Sequence, residues 1–172
     1  HVPVGVLHAA GAGGKGLLVG LTARTMHSLF APKAHGLWHL SCATTSPLES
    51  CILFSSVGSG LANVGQGSYA AANASLDASA LSRRSSGMPA QCLQWPLVGS
   101  AGMGAAAFGA SKREAGISGM ASIALEEYAA CLQAQLLSAS MAPTVQLVHC
   151  ADARAMLQDV ANTSQRRFSE LV

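Results

Sequence analysis

Short uninterrupted apolar runs alternate along this chain with longer stretches whose apolar positions recur every three or four residues. Val2-Pro3-Val4-Gly5-Val6-Leu7 reads as a buried strand, followed by a glycine loop from Gly11 to Gly16. Thr22 is placed to cap a helix over Ala23 to about Thr44, with Met26, Leu29, Phe30, Leu37 and Leu40 as its apolar positions. Pro32 and Gly36 should kink or divide that helix. A second strand, Cys51–Phe54 closed by Ser55 and Ser56, precedes a loop from Gly58 to Gly67. Tyr69 to about Arg84 is the next helix, stopped ahead of Gly87 and Pro89. Gln91–Trp95 is a third strand, 99–119 a glycine- and alanine-rich segment expected to act as a lid, and Ile123–Leu137 an amphipathic helix. Val145–Val148 is a fourth strand, and Ala151–Val172 forms helix and tail.

Strands alternating with helices predict an α/β fold with a parallel sheet, doubly wound and Rossmann-like. Helices on both faces would explain why the strands are continuously apolar. Ligands of such sheets bind beyond the carboxyl ends of the strands. Those ends carry His8, Ser55, Ser56 and Trp95.

Composition narrows the function. At 172 residues the chain is one domain long, and a 50% hydrophobic fraction with 10% charged residues argues against disorder. A net charge of +2, with no basic cluster beyond the pairs Arg83-Arg84 and Arg166-Arg167, argues against nucleic acid. The five cysteines form no C-x-x-C pair and leave one unmatched, so they read as reduced thiols of a cytoplasmic or organelle-stromal protein. No apolar stretch reaches the roughly 18 residues of a membrane span, and no signal peptide is evident. The chain opens at His1 inside a strand pattern, which suggests a piece of something longer.

The candidate chemistry lies at the end of the second strand. Ser56 closes that strand, and Tyr69 opens a helix thirteen residues later, with Asn73 one turn on. Positions i and i+4 share a helix face, so a serine and a tyrosine placed this way converge on one carbonyl oxygen. That arrangement suits reduction of a ketone by a nicotinamide cofactor.

Taken together, His8–Gly11 (HAAG), Ala31–Gly36 (APKAHG), Leu53–Ser56 (LFSS), Gly65–Ala78 (GQGSYAAANASLDA) and Leu93–Leu97 (LQWPL) resemble the ketoreductase domain of modular polyketide synthases. That domain belongs to the short-chain dehydrogenase/reductase superfamily. The resemblance continues into the tail, Arg166–Val172, and implies that the N-terminal part of the domain is missing, so that residues 1–172 form its catalytic C-terminal portion. It implies a catalytic tetrad of Tyr69, Ser56, Lys33 and Asn73. Most short-chain dehydrogenases place a lysine four residues after the tyrosine, whereas Asn73 stands there in this chain and Lys33 lies upstream, as in the polyketide subgroup. Tyr69 would be the general acid and Ser56 the oxygen's hydrogen-bond donor. Cationic Lys33 would ease formation of the phenolate, and Asn73 would keep the site in order. Cofactor contacts implied by the same resemblance are His8, Ala9, Ala10, Gly11, Ser55, Lys33, Tyr69, Trp95, Pro96 and Leu97, with NADPH as cofactor.

Three weaker signals carry less. Gly11 to Gly16 satisfies G-x-G-x-x-G after a strand, yet the acid expected about 20 residues on is absent, the first being Glu49. His35 and His39 share a helix face without a third ligand nearby, which makes a metal site improbable. No G-x-S-x-G elbow exists to support a hydrolase. The resemblance therefore leads: reduction of a β-ketoacyl thioester, carried on an acyl carrier protein, among other synthase domains. The alternatives are a stand-alone short-chain reductase of fatty-acyl or small ketone substrates and a non-catalytic scaffold half-domain. The stereochemical markers of the family are missing: Gly13-Gly14-Lys15 replaces one and Leu61 the other.

Overall fold

The computed structural model describes residues 5–14, 16–44, 46–61, 65–99, 119–137, 142, 144–147 and 152–162. Four parallel strands form one sheet in sequential order: β1 (Gly5–His8), β2 (Ser50–Ser56), β3 (Gln91–Trp95) and β4 (Thr144–Gln146). The crossovers are helical. Helices α1 (Ala23–Phe30) and α2 (Gly36–Ala43) join β1 to β2; α3 (Gly58–Leu61) and α4 (Gly67–Ser85) join β2 to β3; α5 (Leu125–Leu137) precedes β4 and α6 (Ala153–Ala161) follows it.

Successive strand residues point to opposite faces, and β2 and β3 bury both. Cys51, Leu53 and Cys92 face Leu37 of α2 and Leu76 and Ala80 of α4. Ile52, Leu93 and Trp95 face the other way, with Ile123, Tyr128, Cys131 and Leu132 of the α5 region packed over them. Helices on both faces thus account for the continuous apolar runs, as expected. Among the described residues β1 pairs with β2 alone, and its Leu7 is 56% exposed.

Several boundaries differ from the sequence reading for local reasons. The first strand runs on to His8, because its register with β2 pairs His8 with Leu53. The loop after β2 contains the short helix α3, started where Gly58 N–H donates to Ser56 Oγ. Helix α5 begins at Leu125, since Ile123 is held in a parallel bridge to Val98. The fourth strand is Thr144–Gln146. The expected lid over 99–119 lies, from 100 to 118, outside the described residues, as do Lys15 and residues 163–172 of the tail. The described cysteines Cys42, Cys51, Cys92 and Cys131 are free thiols. Among the described residues no helix is long and apolar enough to cross a membrane.

Candidate active site

Lys33 lies in a five-residue π turn, Ala31–His35, inserted between α1 and α2. Pro32 has no N–H to offer the helical ladder, and the ladder widens there instead of breaking: the Gly36 N–H reaches back five residues to the Ala31 carbonyl. The extra residue turns Lys33 inward. Its side chain is 3% exposed, and Nζ donates to the Phe54 carbonyl of β2 at 3.1 Å. A surface lysine would be solvated; this one is buried against the strand that ends in Ser56. Burial pushes its pKa below the ordinary lysine value, opposed by the neighbouring Cys92 and Asp77.

His8, the last residue of β1, fixes the turn from the other side. Its Nε2–H donates to the Lys33 carbonyl at 3.0 Å, and the ring is buried. Burial holds the imidazole below its usual pKa, the bond to Lys33 partly offsets this, and the Lys33 charge adds to the depression. Gly36 is required by the same contact, because a Cβ there would stand 3.2 Å from His8 Cε1.

The two serines that end β2 divide by face. Ser55 is buried and donates to the Asn73 carbonyl of α4 at 3.4 Å. Ser56 is half-buried at the strand's open end, and its Oγ accepts the Gly58 N–H at 3.2 Å. Tyr69 and Asn73 lie one turn apart on α4, joined by Asn73 Nδ2 donating to the Tyr69 carbonyl at 2.9 Å. Asn73 is fully buried, and its Oδ1 has no partner among the described residues. Tyr69 is half-buried. The hydrogen bonds therefore gather three of the four predicted residues into two adjoining groups, His8–Lys33–Phe54 and Ser55–Asn73–Tyr69, linked by consecutive residues of β2, while Ser56, next on that strand, bonds to Gly58. Among the described residues no hydrogen bond joins the Tyr69 hydroxyl to Ser56 or Lys33.

The KR domain family profile matches residues 3–100, more than half of the chain and all of this constellation. The chain belongs to the KR domain family. Ketoreductase domains of polyketide synthases are members of the short-chain dehydrogenase/reductase superfamily, and the relatives agree. The spectinabilin polyketide synthase system protein NorB of Streptomyces orinoci is 41% identical over 138 residues, covering 79% of this chain and 6% of that protein. Erythronolide synthase EryA2 of Saccharopolyspora erythraea is 43% identical over 94 residues, covering 54% of this chain and 3% of its own length. An A-type ketoreductase from a modular polyketide synthase superposes with a TM-score of 0.80 at 27% identity, over 96% of this chain and 34% of that one. The first ketoreductase of the tylosin synthase gives 0.72 at 29% identity, over 92% and 34%. This chain thus spans about a third of these solved ketoreductase chains and a few per cent of the synthases.

The remaining predicted ketoreductase contacts line the carboxyl ends of β1 and β3. Ala9, Ala10 and Gly11 follow His8 and are exposed there. The Trp95 ring packs into the core between Phe54 and Tyr128, with centroids 5.8 and 4.2 Å away, and its Nε1 is buried without a partner among the described residues. Pro96 is buried and Leu97 is 40% exposed. The glycine loop after β1 opens no α-helix; a single 3-10 turn, Leu18–Gly20, follows it. Gly16 N–H donates to the Gly65 carbonyl at 2.9 Å, and α1 starts only at Ala23, so the dinucleotide-fingerprint geometry is absent.

Sequence reasoning passed over a second polar cluster, on the helix that carries Tyr69 and Asn73. Asp77 Oδ2 accepts from Ser59 Oγ at 2.8 Å and from Gln94 Nε2 at 2.8 Å, and Gln94 Nε2 also reaches Ser59 Oγ at 2.9 Å. The available signal was helical spacing: Asp77 follows Asn73 by four residues and Tyr69 by eight, on one face of α4.

Proposed function

We propose that this chain is the catalytic C-terminal portion of a ketoreductase domain that reduces a β-ketoacyl thioester, borne by an acyl carrier protein, to the β-hydroxyacyl thioester. The observation that carries the reading is the buried Lys33, turned inward by the π turn and bonded to the strand that ends in Ser56. A charge of that kind is retained against its desolvation where chemistry uses it.

The residues fit a nicotinamide cofactor. Asn73 presents a buried, unpartnered Oδ1 at the site, and Lys33 satisfies one of its three N–H donors on Phe54. When bound, NADPH supplies the hydride. His8, Ala9, Ala10, Gly11, Ser55, Lys33, Tyr69, Trp95, Pro96 and Leu97 are the residues that would hold it. Tyr69 gives a proton to the carbonyl oxygen as negative charge builds there, and Ser56 donates a hydrogen bond to the same oxygen. The Lys33 ammonium stabilises the phenolate left behind, and Asn73 ties the Tyr69 turn to β2. The other synthase domains and the carrier protein are the assigned partners.

Tyr69→Phe in the complete domain tests the assignment. The expected result is loss of turnover by at least about a hundredfold, the size of a general-acid contribution, with NADPH affinity within a few-fold of the parent by fluorescence titration. Near-parental turnover would remove Tyr69 from the mechanism.

A further inference from the structure

Where the chain leaves β2, the Ser56 hydroxyl is held by its own loop. Its Oγ accepts the Gly58 N–H at 3.2 Å, while the Val57 N–H donates to the Trp95 carbonyl at 3.0 Å. A serine hydroxyl has one O–H donor and two acceptor positions. With the Gly58 N–H on one acceptor position, the oxygen is tethered and its own O–H is left to turn towards a substrate oxygen. That tether is only as firm as α3, the four-residue helix that Gly58 opens. A helix of one turn has no stability by itself. Its Gly60 and Leu61 N–H groups return to the Val57 carbonyl, within the same loop. Gly58 and Gly60 have no side chains to pack, which leaves Ser59 and Leu61 to hold α3 against the rest of the fold.

Ser59 does so on two sides at once. Its Oγ donates to Asp77 Oδ2 of α4 at 2.8 Å and accepts from Gln94 Nε2 of β3 at 2.9 Å. Gln94 Nε2 also donates to Asp77 Oδ2 at 2.8 Å, so the three half-buried side chains close a triangle. We infer that Ser59, Asp77 and Gln94 are positioning residues of the ketoreductase: their triangle pins α3 between α4 and β3, and α3, through the Gly58 N–H, aims the Ser56 hydroxyl. Asp77 lies one helical turn after Asn73 and two after Tyr69, and Gln94 immediately precedes Trp95. The same clasp therefore sets Ser56 relative to the helix that bears Tyr69. The inference rests on the role proposed above for Ser56 as hydrogen-bond donor to the carbonyl oxygen.

Ser59→Ala is the informative change, since it removes one hydroxyl, leaves Asp77 bonded to Gln94 and introduces a good helix former. In the complete domain, kcat is measured for Ser59→Ala, Ser56→Ala and the double variant, together with hydrogen exchange of the Gly58 amide. Ser59→Ala is expected to lower kcat by about tenfold to a hundredfold, the penalty of a misaimed donor, with little change in KM for NADPH. In the Ser56→Ala background the same change should cost nothing further, because the group it aims is gone. Ser59→Thr, which keeps the hydroxyl, should restore kcat. Gly58 exchange should quicken about fivefold in Ser59→Ala, the worth of one hydrogen bond, while the buried Leu93 amide of β3, a gauge of global opening, stays unchanged. A parental kcat in Ser59→Ala, an equal loss with and without the Ser56 hydroxyl, or a parental rate of Gly58 exchange overturns the inference and leaves the proposed function standing. Parental turnover in Ser56→Ala removes Ser56 from the mechanism and the inference with it. Should Ser59→Ala fail to fold, Gln94→Met, similar in size but without a donor, is read by the same outcomes. Exchange needs neither substrate nor cofactor, so faster Gly58 exchange in a complete domain without reductase activity upholds the clasp and refutes the proposed function.

Discussion

Two glycines in helical segments should respond oppositely to the same substitution. Gly36 opens α2 with φ −57°, a conformation alanine adopts freely, and Gly60 lies in α3 with nothing within 4 Å of the point where a Cβ would stand. On helix propensity alone, each glycine-to-alanine change stabilises by up to about 1 kcal/mol. At Gly36 the new methyl meets the His8 ring at 3.2 Å. That ring is 4% exposed and tethered to the Lys33 carbonyl, so it has no open space to enter. Overpacking of this kind costs about 1–3 kcal/mol, and breaking the His8 bond adds about 1 kcal/mol. The net expectation for Gly36→Ala is destabilisation by about 1–3 kcal/mol, against a gain of up to about 1 kcal/mol for Gly60→Ala. Urea denaturation of the complete domain at pH 7 measures both, and turnover should fall in the first variant because the Lys33 turn moves. A Gly36→Ala midpoint at or above the parent's would show that His8 does not constrain the turn.

Further outcomes follow from the core and from His8. Leu76 is fully buried on α4 between β2 and β3, beside the small residues Ala80 and Ala90 that cannot collapse into a void. Leu76→Ala should therefore cost about 3–5 kcal/mol, read from the urea midpoint; a loss below about 1 kcal/mol would contradict the packing. The imidazole of His8 has a lowered pKa in the fold, so the unfolded chain takes up its proton first as pH falls. Its contribution to stability is complete above the unfolded value of about 6.5 and is lost as pH falls through the lowered folded value. His8→Gln should flatten that acid dependence, and an unchanged pH–stability curve would count against the burial of the ring.

Much of this molecule is legible in its residues because the signals are local. The run Cys51–Phe54 is continuously apolar, and the structure covers both faces of β2 and β3. Gly87 and Pro89 stop α4 close to where they should. Pro32 and Gly36 do divide the first long helix, but as a π turn, a form set by where the chain finds its next carbonyl and invisible to apolar periodicity. The family motifs named Lys33, Ser56, Tyr69 and Asn73, yet nothing in a lone lysine foretells its burial, which depends on His8 from β1 and Phe54 from β2. Of the Ser59–Asp77–Gln94 cluster only the spacing of Asp77 from Asn73 and Tyr69 on α4 was legible. Its members come from three segments and meet only after the crossovers form.

The π turn also sets how this region responds to changes in length. Each residue of an α-helix advances the side-chain direction by about 100°. Deleting one residue beside Lys33 would restore ordinary helical winding and swing its ammonium from the underside of β2 towards water, with the lysine itself still present. Single-residue deletions between 31 and 35 are thus expected to act like active-site mutations, whereas equal changes in the loop ahead of Ser50 should pass with little effect on turnover.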